Sequence, residues 1–336
     1  MIYTRDRLEN FIQEKVKKAY PLEGTTVYLK IEALYNETKI WEYNFQNNTL
    51  TFDKVGNDSI GSKKKNNNII SIEILDLCGL LEVTTTFSDE EPKKICSNDW
   101  KDWFYSKVKD YVLVLDTNFV RKHYAFNILK KNLGEDNFRK LSFRLPRLVI
   151  LELERQANQG KKGSSYKNLA FYAFKEIDFL KKAGCVPLPE LEVSLVEGFS
   201  NIAGTEFTDI WIRREIRDVT KSKRISIASV EIDFRERIIN PILLTCDLVN
   251  ALAAEAEDMK VCYFNRIEPE EDKISLNTND VVKTLTDLFI NSAIYCGKIE
   301  IKFSWPQESK SYYLEGIWTG KTTYHWLKDY IKVTEK

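Results

Sequence analysis

Residues 112–115 read Val-Leu-Val-Leu, with no polar residue at either alternate position. Such a run suits a strand covered on both faces, which belongs in the middle of a parallel sheet flanked by helices. It ends on a carboxylate, Asp116, and Thr117 and Asn118 follow directly before a helical pattern begins. Two further buried runs, ILLTC at 242–246 and KVCYF at 260–264, share the region with helical patterns at about 119–131, 147–157, 164–183 and 206–221. Apolar strands alternating with helices are the signature of βαβ units. The fold class expected for 109–268 is therefore α/β, a parallel sheet sandwiched by helices. Pro146 suits the first turn of the helix that carries LVILELERQ.

The segments on either side have a different texture. Residues 1–108 open with a charged helix and continue with alternating strand patterns, the second of them a hairpin turning at 46–49, and read as an α+β domain of unknown role. Residues 274–336 open with a helix ended by Gly297, followed by two strands and a last aromatic helix, TYHWLKDYIKV, and read as an α+β segment. Both parts are aromatic-rich, with Trp100, Trp103, Trp305, Trp318 and Trp326, and can pack together as one discontinuous domain. A chain of 336 residues has room for two or three domains. The run KKKNNN at 63–68 reads as a solvated loop, and GIWTGKT falls one residue short of a phosphate-binding loop.

Composition narrows the chemistry. Only two histidines exist, His123 and His325, which argues against a Ser-His-Asp triad, a Cys-His pair or a multi-histidine metal site. Six scattered cysteines without a CxxC pair argue against zinc and against a disulfide framework, and read as buried thiols of a cytoplasmic protein. The charged N-terminal stretch is expected to be neither a secretory signal nor a membrane anchor. No stretch approaches the roughly 20 apolar residues of a membrane helix. Lys plus Arg and Asp plus Glu balance at 50 each, yet 121–182 hold 15 Lys or Arg against 6 Asp or Glu, a net of +9. A neutral protein thus contains a basic segment.

Four carboxylates stand out. Asp116 and Asp247 each follow a buried strand, and open α/β sheets place their sites at that carboxyl edge. Asp209 lies one turn into a helix, and Glu152 follows Leu148, Val149, Ile150 and Leu151, where a buried acid needs a partner. Singly, each has an ordinary explanation as a turn former, a helix-start charge, a helix cap or a surface face. Gathered in one cleft, they would repel one another and hold protons unless a cation sat among them. Magnesium and manganese suit such oxygen ligands.

In this order, and on these elements, the residues resemble the PIN-domain family of metal-dependent nucleases over about 111–266. VLVLDTN resembles the family's first motif, VILELER its second, TDIWIRR its third and LLTCDLVNALAAEA its fourth. The resemblance implies a PIN-like sheet and a divalent-metal-dependent nuclease, with Asp116, Glu152, Asp209 and Asp247 as catalytic acids holding one or two Mg2+ or Mn2+ ions. Thr117, Asn118 and Thr245 would orient ligands or water behind them. It further implies phosphodiester hydrolysis of nucleic acid, RNA favoured over DNA, by an endoribonuclease acting on single strands. Between Asp209 and Asp247 the chain is longer than the family's usual spacing and includes RISIASVEIDFRERIIN, read as a rim hairpin, which leaves Asp233 or Glu231 as alternatives to Asp209.

Arg213, Arg214 and Arg217 on the Asp209 helix, with Arg147, Lys161 and Lys162 from the basic segment, are the expected nucleic-acid contacts, giving salt-sensitive, largely sequence-independent affinity. Trp211, Phe171 and Tyr172 are weighed as base-stacking platforms against ordinary core positions. No membrane partner is expected, and the family resemblance allows a homodimer or larger assembly. Two rivals stand beside this reading: a catalytically silent PIN-like RNA-binding or assembly scaffold, and an unrelated doubly wound enzyme such as a metal phosphatase. A nucleotide-binding protein is disfavoured because DTNFVRKH lacks the glycines that let a backbone approach phosphate.

Overall fold

A computed structural model of the chain describes residues 1–19, 29–35, 38–52, 76–159, 165–187, 205–220, 224–227, 230–233, 240–267, 273–276, 281–305, 308–316 and 331–336. The architecture is mixed α/β, with two large sheets and a small hairpin. The chain divides into two compact units, one formed by Met1–Leu80, Gly160–Tyr172 and Arg266–Lys336, the other by Leu81–Gln159 and Ala173–Asn265. No helix among the described residues is long and apolar enough to cross a membrane.

In the first unit, strands from both ends of the chain form one eight-stranded antiparallel sheet. Its order is Ile2–Tyr3, Ile331–Glu335, Ser309–Gly316, Lys298–Ser304, Lys30–Tyr35, Thr38–Asn44, Thr49–Phe52, Lys273–Ser275. Alternation along Lys298–Ser304 buries Ile299, Ile301 and Phe303. They share a core with Trp41 and with Leu288, Phe289 and Ala293 of the Val281–Cys296 helix. Trp41 Nε1 donates to Ser292 Oγ at 3.0 Å, which satisfies a donor that burial would otherwise strand. The hairpin turn spans 45–48, with Asn48 in the left-handed region.

The chain end departs from expectation. Ile331–Glu335 is a strand, not the end of a helix, because Ile331 and Val333 are buried and Lys332 and Thr334 exposed, a period of two. The rest of the anticipated aromatic helix, the GIWTGKT loop beyond Gly316, and KKKNNN lie outside the described residues.

The second unit contains the sheet that the apolar runs anticipate. Its order is Lys93–Lys94, Leu81–Thr85, Lys260–Arg266, Pro241–Thr245, Val112–Leu115, Ser142–Leu145, Val186–Pro187. From Lys260–Arg266 to Val186–Pro187 every neighbouring pair is parallel. Val112–Leu115 is central, and Leu113, Val114 and Leu115 are wholly buried. The division falls at Leu80 rather than residue 108, because Leu81–Thr85 joins this sheet and the Trp100–Val108 helix stacks Trp100 on Phe104, which meets Phe264 edge-on. The division also falls within the Ser165–Lys182 helix, whose Leu169 and Tyr172 belong to the first unit's core.

The helix expected at 119–131 is broken. Thr117–Arg121 is followed by His123 at φ 58° and then by a π-helical turn, Ala125–Lys130. The cause is Glu176, fully buried on the Ser165–Lys182 helix. It accepts the Phe126 N–H at 3.0 Å and lies 3.3 Å from His123 Nδ1, so the chain bends to bring a backbone amide to a buried carboxylate. Pro146 precedes the Arg147–Gln159 helix rather than occupying its first turn. The long stretch after Asp209 does contain a hairpin, Arg224–Ile227 paired antiparallel with Val230–Asp233.

Phe264 ties the sheet to the helix that Asp116 begins and to the turn after it, with ring centroids 5.1 Å from Phe119 and 6.0 Å from Tyr124. Phe264→Ala is expected to destabilise the second unit by about 3–5 kcal/mol, as large aromatic deletions in cores do. Urea unfolding monitored in the second unit checks this, and a loss below about 1 kcal/mol would show that the cluster is not the packing centre described.

Candidate active site

The parallel register decides what meets at the sheet edge. Leu115 pairs with Leu244, and the Asp116 N–H donates to the Leu244 carbonyl at 3.2 Å, so the two strands end level. Asp116 then caps the Thr117–Arg121 helix, its Oδ1 accepting the Phe119 N–H at 2.6 Å. Asp247 caps the Leu248–Ala256 helix in the same way, its Oδ1 accepting the Val249 and Asn250 amides at 2.9 and 3.2 Å. Thr245 joins the two. Its hydroxyl donates to Asp116 Oδ2 and accepts the Asp247 N–H at 3.0 Å, a pairing that only a hydroxyl can make from one atom. Asn118 Nδ2 reaches Asp247 Oδ2 at 3.4 Å and is itself held by Arg121.

Glu152 and Asp209 come from two helices locked to one another. Glu215, buried on the Thr205–Thr220 helix, accepts the Arg147 and Leu148 amides at 3.0 and 3.4 Å and so satisfies the N-terminus of the Arg147–Gln159 helix. Glu152, half-buried on that helix, accepts the Thr117 hydroxyl at 2.5 Å and the Gln156 amide at 2.9 Å. Glu154 is exposed. Asp209 lies one turn into the Thr205–Thr220 helix.

Three of these acids bear electrostatically on the fourth, Asp209. Burial, then the charges of Asp116, Glu152 and Asp247, push the Asp209 carboxyl up to about 7, against a smaller opposing pull from Arg213. Asp116, 1 % exposed, is pushed up to about 6 by burial; bonds from Thr245, Phe119 and Asn250 work against the rise and Asp247 adds to it. Burial also raises Glu152, with Thr117, Arg121 and Gln156 opposing. The donor set is oxygen only, which is the chemistry of a hard divalent cation. Among the described residues no group of three or more Asp, Glu, His or Cys side chains is posed around one ion position, and Asp116, Glu152 and Asp247 each accept from protein donors. His123 is buried against Glu176, away from this role.

The basic residues divide. Arg214 and Arg217 are exposed, Arg214 lying over the Trp211 ring at 5.0 Å and Arg217 3.8 Å from Glu257. Arg147 is half-buried beside Glu215. Lys161 and Lys162 lie outside the described residues, as do the side chains of Glu231 and Asp233. Arg213 does not fit a strand contact: it is 6 % exposed, and its Nε and Nη1 donate to Glu257 at 2.9 Å and Asn250 at 2.7 Å. The run of arginines does not reveal this, because Arg213 is buried and its neighbour Arg214 exposed. Tyr172 is core. Sequence reasoning missed Asn250, whose Nδ2 is 3.5 Å from Asp116 Oδ2, and the signal was its place three residues after a capping Asp. It also missed Gln156 and Glu215.

No family model matches the chain, and no curated protein matches it. Among solved structures it is similar to a domain of a functionally unknown protein from Methanocaldococcus jannaschii, at 18 % identity and a TM-score of 0.32, over 50 % of this chain and 99 % of that one.

Ionising a carboxyl whose folded value lies above its ordinary one costs stability. For Asp209 that cost is absent below 3.8, grows as pH rises and is complete above about 7. Asp209→Asn, in EDTA, is expected to raise the unfolding midpoint at pH 8 by a few degrees, roughly 2–4 °C per kcal/mol for a unit of this size. The gain shrinks steadily as pH falls from about 7 to 3.8. A gain independent of pH, or a loss, would contradict the mutual repulsion of the four acids.

Proposed function

We propose that the second unit is a PIN-like, divalent-metal-dependent nuclease acting on single-stranded nucleic acid. The observation that carries this reading is geometric: Thr245 bonds to both Asp116 and the Asp247 amide at one sheet edge, Thr117, next to Asp116, bonds to Glu152, and the charges of all three acids bear on Asp209. A fold that needed these residues only as caps would not bring them together, because each added charge raises the cost of the others. Such arrangements recur where the charge is used.

Asp116, Glu152, Asp209 and Asp247 would hold one or two Mg2+ or Mn2+ ions. When bound, such an ion supplies positive charge that polarises a phosphodiester and favours loss of a proton from water. The chain's own contribution is placement. Thr245 ties Asp116 to the chain that carries Asp247, Thr117 orients Glu152, and Asn118 restrains Asp247. Arg214 and Arg217, exposed on the Asp209 helix, would meet phosphates of a strand. RNA is favoured over DNA by the family resemblance alone. Six cysteines that form no disulfide suit a reducing, cytoplasmic setting.

The test is cleavage of end-labelled single-stranded RNA and DNA of one sequence, with Mn2+ or EDTA, by wild type and Asp116→Asn. Wild type is expected to cut only with Mn2+, and Asp116→Asn to cut no more than the EDTA control. Binding without cutting by both proteins, unchanged by EDTA, would replace this reading with the RNA-binding scaffold.

A further inference from the structure

A buried guanidinium demands partners, since an unpaired charge in the interior costs far more than it returns. Among the described residues Arg213 has two: Glu257 Oε1 at 2.9 Å, just beyond the Leu248–Ala256 helix, and Asn250 Oδ1 at 2.7 Å. Arginine only donates, so it fixes which end of the Asn250 amide faces it: the carbonyl oxygen must point to Arg213, and the NH2 group then points the other way. That NH2 lies 3.5 Å from Asp116 Oδ2, the oxygen that also accepts from Thr245. At this length the contact steers the carboxylate more than it holds it. If Arg213 were absent, the amide could turn its oxygen toward Asp116 and repel it. Arg213 also stands one turn beyond Asp209 on the same helix, so it faces the acid cluster from the protein side, where no strand reaches it.

We propose that Arg213 and Asn250 form a positioning relay that presents Asp116 to the metal, with Glu257 anchoring its far end. The proposal rests on the metal-dependent reading above. It reassigns Arg213 from substrate contact to the support of one ligand, and it makes Asn250 the residue through which Arg213 acts. Residues that support metal ligands from behind typically change metal affinity by about 10–100-fold when removed.

The test is a double-mutant cycle on Mn2+ affinity, measured by calorimetry on the full chain, with unfolding midpoints in EDTA as the structural control. Asn250→Ala is expected to weaken Mn2+ binding by about 10-fold or more. Arg213→Met is expected to weaken it similarly in the wild-type background and by no more than about twofold once Asn250 is alanine. Full additivity would show that Arg213 acts by its charge on Asp209 and would overturn the relay, as would an Asn250→Ala protein with unchanged affinity. Should Arg213→Met fail to fold, Glu257→Gln takes its place in the cycle, with the same non-additivity expected. Wild type that binds no Mn2+ would overturn the metal reading and the relay together, whereas binding that ignores Asn250 would overturn the relay alone.

Discussion

The Thr245 hydroxyl links the two capping acids at the sheet edge of the second unit. It donates to the Asp116 carboxylate and accepts from the backbone amide of Asp247, so it ties the first acid to the chain that carries the second. It can do so only because Pro241–Thr245 and Val112–Leu115 run parallel and end level, Leu244 beside Leu115. That register is carried by the backbone ladder, which runs from Pro241 beside Val112 to Leu244 beside Leu115. A valine at 245 would keep the shape and lose both hydrogen bonds.

The cluster is held together against its own charge. Asp116 and Asp209 sit where burial and neighbouring carboxylates disfavour ionisation, and the surrounding framework supplies the compensation. Glu215 locks the Arg147–Gln159 helix to the Thr205–Thr220 helix, and the aromatic cluster around Phe264 anchors the helix that Asp116 caps. The cost of charge at this edge is what would make it receptive to a divalent ion, because a cation would offset the ionisation that burial disfavours at Asp116, Glu152 and Asp209.

Much of this was legible in the residues and some was not. The apolar runs at 112–115 and 242–246 announced central strands because burial on both faces erases alternation, and the acids that follow them announced the sheet edge. Ser142–Leu145 escaped notice because a four-residue strand containing Ser and Arg carries little pattern. The break after Arg121 was invisible because its cause, Glu176, lies about fifty residues away. The assignment of 81–108 to the second unit depended on sheet pairing and on Trp100 and Phe104 packing, neither of which has a local signature. Arg213 was misread for the same reason: a buried arginine and an exposed one look alike in a sequence until their partners are known.

The central claim is that Asp116, Glu152, Asp209 and Asp247 form one divalent-cation site. Anomalous diffraction at the manganese edge from Mn2+-soaked crystals addresses it directly. The account predicts an ordered ion between Asp116 and Asp209, with carboxylate oxygens of at least three of the four acids turned toward it at about 2.1 Å. Manganese bound elsewhere on the chain while this position stays without anomalous signal would contradict it.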